Sequence, residues 1–246
     1  MKIGSKIIHL ESVDSTNNYA ANLVQKGGCA NGTVIMADNQ YLGKGQRGTE
    51  WHTVQGENLT FSTVLCPDNL SVEHQFYITC FVSLSIIDVL KAYDIIAEIK
   101  WPNDIYVNNH KIAGVLIENF LQGTAIKTSI IGIGINVNSC PEGVNATCIQ
   151  HITLNRLKPF DLMMKLIIKL NIWFDALNQR NFDFLFSKYN NTLFMKNRNV
   201  EFEDESGKFQ GKVIGARDNG LLEISVGNEV RLYGIKQLIW NPESKI

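Results

Sequence analysis

No stretch of the 246-residue chain is apolar for long enough to cross a bilayer, and its first residues show no basic-then-apolar leader. Net charge is −1, with 23 Lys and Arg against 24 Asp and Glu. No global field therefore favours nucleic acid or an anionic membrane, and any polyanion site has to be local. The five cysteines, Cys29, Cys66, Cys80, Cys140 and Cys148, are odd in number and scattered. None forms a Cys-x-x-Cys pair, which argues against a zinc site or a disulfide framework and for buried small apolar thiols in a reducing cytosol. His9, His52, His74, His110 and His151 fall at no ligand spacing and read as solvated or structural. Internal repeats and low-complexity segments are lacking. What is left is the composition of an ordinary globular protein, 45% apolar and 19% charged, long enough for one large domain or a domain plus a small one.

The densest local signal is Gly43-Lys44-Gly45-Gln46-Arg47-Gly48-Thr49-Glu50-Trp51. Three glycines in six residues let a backbone approach a ligand closely. Free N–H groups and two cations suit a phosphate. The literal pattern Gly-x-Gly-x-x-Gly would mark a dinucleotide fold only if a helix opened on the third glycine. The residues that follow have no helical period, so this reads as a loop running into a strand. A flexible surface loop without a ligand is the alternative.

Around that loop, Lys6 to Glu11 reads as an edge strand. Val13-Asp14-Ser15-Thr16-Asn17 then opens a helix that Gly27-Gly28 ends. Ser15 and Thr16 are either caps alone or donors for a small polar group. Thr33 to Ala37 and Asn58 to Cys66 are strands, and Ser71 to about Tyr93 is a helix with Phe76, Cys80, Leu84 and Ile87 as its stripe. Ile96 to Ile99, Ile105 to Val107 and Ile112 to Ile117 read as strands. Asn108-Asn109-His110 forms a hairpin turn between the last two. Ile130 to Asn138 is a buried strand whose two glycines, Gly132 and Gly134, mark a close approach. Pro141 to Thr153 reads as irregular. Helices follow from Pro159 to about Asn178 and from Phe182 to Phe194. After about Asn197 short β runs alternate with turns, including Asp218-Asn219-Gly220, and point to a small five-stranded barrel.

Polar clusters thus sit at four element ends: Ser15-Thr16-Asn17, Gln40 with the glycine loop, Asp104 with Lys111, and Asn136. Asp104 could hold Mg²⁺ alongside substrate phosphate oxygens, or act as a turn cap. Four ordered motifs, Asp-Ser-Thr-Asn at 14–17, Gln40 to Trp51, Lys-Trp-Pro-Asn-Asp at 100–104 continuing to Lys111-Ile112-Ala113-Gly114, and Gly-Ile-Gly-Ile-Asn at 132–136, resemble those of biotin–protein ligases in the biotin/lipoate ligase superfamily. The likeness covers most of residues 1–140.

That resemblance implies an α+β fold: a mixed sheet flanked by helices, like class II synthetases, over residues 1–196, with an SH3-like β-barrel at 197–246. It implies a cytoplasmic enzyme that joins biotin to ATP as biotinyl-5′-AMP and passes biotin to a lysine of a biotin carboxyl carrier domain. Ser15, Thr16, Asn17 and Gln40 would bind the biotin ring. Gly43, Lys44, Gly45, Gln46 and Arg47 would wrap carboxylate and phosphate, and Trp51 would pack the closed loop. Lys111 would contact the biotin carboxylate or the α-phosphate. Gly114 and Asn136 would line the nucleotide side. Asp104 would hold Mg²⁺ or orient the acceptor amine, so that Lys111, Arg47 and Asp104 carry the chemistry. Many family members have arginine where this chain has Lys44 and Gln46, which implies looser retention of the adenylate unless Arg47 supplies the charge. The motif at 14–17 arrives too early for an N-terminal DNA-binding domain, so no DNA binding is expected; a homodimer is compatible with the resemblance. The competing readings are a lipoate or octanoate ligase on the same scaffold and an inactive biotin-binding protein.

Overall fold

Alternation in the sequence decides what each strand contributes. Glycine or a polar residue on one face and isoleucine, valine or phenylalanine on the other recur through the central strands, so one side of the sheet packs a core and the other builds a cavity. The computed structural model describes residues 2–141, 143–235 and 237–240, with the side chain of Arg47 outside the described residues. In chain order the elements are β1 Lys6–Val13, α1 Thr16–Gln25, β2 Thr33–Gln40, β3 Leu59–Leu65, α2 Phe76–Lys91, β4 Glu98–Lys100, β5 Asp104–Val107, β6 His110–Gln122 and β7 Ala125–Ile135. They continue with α3 Ile149–Thr153, α4 Pro159–Asn178, α5 Phe182–Asn191, β8 Asn199–Asp204, β9 Gly207–Ala216, β10 Leu222–Val226, β11 Glu229–Tyr233 and β12 Ile239–Trp240.

Strands β1 to β7 form one mixed sheet in the order β1-β2-β3-β7-β6-β5-β4, parallel between β1 and β2 and antiparallel elsewhere. On one face, Met36, Phe61, Val115, Ile131 and Ile133 join the main core with α2 and α4. Phe81 of α2 meets Phe174 of α4 at 5.6 Å between ring centroids. Each such fully buried side chain contributes about 1.5–3 kcal/mol. Helix α1 packs on the opposite face, where Ala20 meets Ile35, Val64 and Ile130. Helix α2 is buried nearly all round, not along a single stripe, because α4 and α5 cover the side the sheet does not. The stretch expected to be irregular contains the short helix α3.

The small β region forms a five-stranded antiparallel sheet in the order β11-β10-β9-β8-β12. Among the described residues no pairing joins its two outer strands, so it is a sheet where a closed barrel was expected. Its β9–β10 turn reaches the larger sheet's helices. The Trp101 indole donates to the Gly220 carbonyl at 3.0 Å, and Gly220, at φ +85°, lies against Phe76. Asn190 of α5 bonds the Ala216 backbone in both directions, and Phe194 packs on Trp240 at 5.7 Å.

Candidate active site

The cavity-forming face of the sheet is set by register. Thr60 pairs with Gly134 and Ser62 with Gly132 across β3 and β7, while Gly134 pairs with Gly114 and Gly132 with Leu116 across β7 and β6. Asp104 then pairs with Gly114, and Lys100 with Asp104. All these residues share one face, because directly paired residues in a ladder point the same way. Lys111 would not belong to that set by simple alternation, since it is three residues from Gly114. The β5–β6 pairing slips by one residue between Ile105 and Tyr106, so that Tyr106 pairs with Lys111. This bulge returns Lys111 to the side of Asp104. The Asn108-Asn109 turn just before it uses positive φ at both residues, 48° and 69°, as a two-residue hairpin requires.

Lys111 Nζ lies 2.7 Å from Asp104 Oδ1 and 5.7 Å from the centroid of the Trp51 ring. Gly114 makes room for this pair: a Cβ there would stand 3.2 Å from Lys111 Cε and 3.3 Å from Asp104 Oδ1. The pair is half-buried and gains modestly from its contact. Lys100 is the second cation, 3.4 Å from the Tyr106 hydroxyl and 4.9 Å from that ring's centroid. Burial lowers its pKa to about 8; Asp104 pulls it up and Lys111 presses it down again. Below pH 8 both folded and unfolded chains carry that proton, and burying the charge costs on the order of 3 kcal/mol. The penalty fades as pH rises from about 8 towards the unfolded value near 10.5. Lys100→Met is therefore expected to raise the melting temperature by several degrees at pH 7 and to lose that advantage near pH 10.5. Equal melting of the two proteins at pH 7 would refute the cost assigned to the charge.

Across the cavity, the start of α1 is wired to β2 and β3. The Thr16 backbone N–H donates to Gln40 Oε1 at 2.7 Å, and the Thr16 hydroxyl lies 3.0 Å from the same oxygen. Ser62 Oγ stands 2.7 Å from Thr16 Oγ1 and donates to Asn17 Oδ1 at 2.6 Å. The Asn17 amide donates to Glu118 at 2.6 Å. Ser15 occupies the N-cap position without a side-chain cap bond, so capping does not account for its hydroxyl. Gly132 is there because Asn17 is: a Cβ at 132 would collide with the Asn17 carboxamide.

The loop between β2 and β3 folds back as a hairpin. Trp51 N–H donates to Gly43 O at 2.9 Å, Gly45 N–H to Thr49 O at 2.7 Å, and a short 3₁₀ turn spans Gln46–Gly48. A Cβ at Gly43 would strike the Trp51 carbonyl. Lys44 Nζ reaches Asn18 Oδ1 at 2.6 Å. The Trp51 ring lies on Gly134, where any Cβ would enter the indole. The glycine at 134 thus seats the loop's tryptophan. Trp51 Nε1 and Trp240 Nε1 are buried and have no hydrogen-bond partner among the described residues.

These walls enclose a cavity of about 300 Å³. Of the residues expected there, Ser15, Thr16, Asn17, Gln40, Lys44, Gly45, Gln46, Trp51, Asp104, Lys111 and Gly114 line it. Gly43 holds the base of the hairpin and lies outside the lining. Asn136 also lies outside it. Its amide donates to Thr147 O at 3.1 Å and its backbone N–H to Ile112 O at 2.9 Å, so it braces the chain behind Lys111. Arg47 lies outside the described side chains, so its expected role is not placed. The sequence reading missed Lys100 as a site residue, although it stands in the quoted Lys-Trp-Pro-Asn-Asp motif. It also missed Ile235, Leu238 and Trp240, which bring the small sheet to the cavity wall.

A profile of the biotin/lipoate A/B protein ligase family matches residues 9–136, just over half of the chain. The chain is 24% identical over 236 residues to the bifunctional ligase/repressor BirA of Bacillus subtilis, covering 93% of this chain and 72% of that protein. It is 31% identical over 142 residues to the biotin–[acetyl-CoA-carboxylase] ligase of Paracoccus denitrificans, covering 54% of this chain and 55% of that one. Among solved structures, the biotin protein ligase from Aquifex aeolicus in complex with biotin and ATP superposes with a TM-score of 0.80 at 26% identity, covering 96% of this chain and 98% of that one. With the motifs gathered around one cavity and the profile spanning them, the chain belongs to the biotin/lipoate A/B protein ligase family.

Proposed function

We propose that this protein activates biotin with ATP to biotinyl-5′-AMP and transfers the biotinyl group to a lysine of a biotin carboxyl carrier domain. The observation that carries the reading is the pairing of two walls across one cavity. Lys100 and Lys111 flank Asp104 on one side, and a neutral hydrogen-bonding nest of Ser15, Thr16, Asn17 and Gln40 faces them. The nest suits a flat, uncharged ureido ring, and the lysines suit a carboxylate meeting a triphosphate. The Aquifex aeolicus structure, with biotin and ATP bound on the same fold, supports this reading.

In the first step a carboxylate oxygen of biotin bonds to the α-phosphorus and pyrophosphate departs. Two anions must approach, so the two ammonium groups lower the cost of the crowded phosphorus. In the second step the carrier amine attacks the anhydride carbonyl and AMP leaves; Asp104, whose carboxylate is paired with Lys111, would orient that amine. The loop at 43–51 shields the anhydride from water, with Trp51 as its anchor and Lys44 and Arg47 as its charges. Trp51 Nε1 is a buried donor without a partner among the described residues, which suits a ligand acceptor. Mg²⁺ would neutralise the pyrophosphate leaving group. A single carboxylate such as Asp104, whose Oδ1 already takes Lys111, suffices for an ion carried in by phosphate oxygens. We assign the catalytic unit to residues 1–196 and the small β unit to 197–246.

The test is to incubate the protein with ATP, Mg²⁺, biotin and a biotin carrier domain and to weigh the carrier intact. One biotinyl adduct per carrier is expected. Pyrophosphate exchange driven by lipoate and not by biotin would reassign the acid, and thermal stabilisation by biotin without any AMP formed would leave a binding protein.

A further inference from the structure

Two of the three groups discounted in the sequence as scattered thiols and an unpaired imidazole turn out to be neighbours of the third. Cys140, Cys148 and His151 form a Cys-x7-Cys-x2-His set, with the two Sγ atoms and an imidazole nitrogen all within 4.8 Å of one another and Cys140 Sγ 3.6 Å from His151 Nδ1. This corrects two expectations. The cysteines are not mostly buried, since Cys66 is exposed and Cys29 and Cys140 are half-buried. The absence of a Cys-x-x-Cys pair does not disperse the ligands, because α3, which the sequence did not reveal, turns His151 back towards Cys140.

We propose that Cys140, Cys148 and His151 bind one Zn²⁺ ion, with a water in the fourth position. Two thiolates and an imidazole are the donors this ion selects, and zinc–sulfur and zinc–nitrogen bonds of about 2.3 and 2.0 Å place donors roughly 3.5–4 Å apart around a tetrahedral centre. The observed 3.6 Å contact already meets that spacing. Cys148 is fully buried and Cys140 is half-buried, while His151 is exposed, so the open position faces solvent on the histidine side. Binding replaces two thiol protons by the ion and releases both, with no change of oxidation state.

The ion would fasten both ends of the strap from 140 to 148. That strap is bonded to the strand behind the cavity: Lys111 N–H donates to Asn145 O at 3.1 Å, Thr147 N–H donates to Lys111 O at 2.9 Å, and the Asn136 amide donates to Thr147 O. Zinc would thus be a clip on the backbone of Lys111, its three ligands lying outside the cavity lining. The inference rests on this geometry and not on the ligase reading, and its test uses no ligase activity.

The reduced, chelator-treated protein is titrated with Co²⁺ and then with Zn²⁺. One equivalent of Co²⁺ should give a thiolate-to-cobalt charge-transfer band and tetrahedral d–d bands, displaced by one equivalent of Zn²⁺. Cys148→Ser and the exposed His151→Ala, which spares the core, should each lose or strongly weaken the bands. Hydrogen exchange at the amides of Lys111 and Thr147 should slow on Zn²⁺ addition in the unaltered protein and not in His151→Ala. A reduced protein that shows no charge-transfer band, or bands unchanged in both variants, overturns the proposal. So does a Cys140–Cys148 disulfide that forms in the presence of Zn²⁺ and excludes it.

Discussion

Lys111→Ala is expected to lower the rate of biotinyl-adenylate formation by about 100-fold or more, as removal of a group that stabilises charge in a transition state typically does. Several independent features fix the position of its side chain. A bulge returns it to the cavity face, Asp104 takes its ammonium at 2.7 Å, and Gly114 clears the space they share. Truncation leaves the Asp104 carboxylate facing the incoming biotin carboxylate with only Lys100 to offset it, so the ground state suffers along with the transition state. Lys111→Arg should recover little, because the guanidinium is broader and the space over Gly114 is already so filled that a Cβ there would stand 3.2 Å from Lys111 Cε. Pyrophosphate exchange and single-turnover AMP formation measure the step directly. A rate near that of the unaltered protein, with melting unchanged, would remove Lys111 from the chemistry.

Gly134→Val is the second large effect. The Trp51 indole occupies the space a side chain at 134 would need, so valine must expel it. With Trp51 lifted, the hairpin from 43 to 51 loses its anchor, and water reaches the mixed anhydride. The expected outcome is a fall of roughly 10- to 100-fold in biotin transferred per ATP consumed, with AMP and free biotin released instead. A double variant with Trp51→Ala should cost little beyond Gly134→Val alone, since both act through one contact. Additive losses would show that Gly134 matters for some reason other than seating the indole.

How much of this was legible in the sequence depends on range. Helix α4, expected from Pro159 to about Asn178 and found over Pro159–Asn178, was readable because proline at the start and a sustained 3.6-residue period are local signals. The Asn108-Asn109 turn was readable because positive φ at both positions favours asparagine. The motifs that line the cavity were recognisable as a set. What they do there was only partly so. The extra residue in β6 that re-aims Lys111 leaves no trace in composition, since Ile112 is as good a strand residue as any. Gly132 and Gly134 could be marked as close approaches, but not that Asn17 and Trp51 are what approaches; those partners lie more than eighty residues upstream. Lys100 reads as one more charge until burial between Tyr106 and Trp240 singles it out. The Cys-x7-Cys-x2-His spacing becomes a cluster only through the turn into α3.

The contribution of Ile235, Leu238 and Trp240 to the cavity wall bears on how the protein is made. On the ribosome the first seven strands emerge well before those residues, and domains tend to fold as they appear. A nascent chain can therefore assemble its lysines and its polar nest while one side of the pocket is still unsynthesised. The pocket therefore gains its last wall only after residues 235–240 have emerged, so the order of synthesis separates the building of the polar walls from the closing of the vessel.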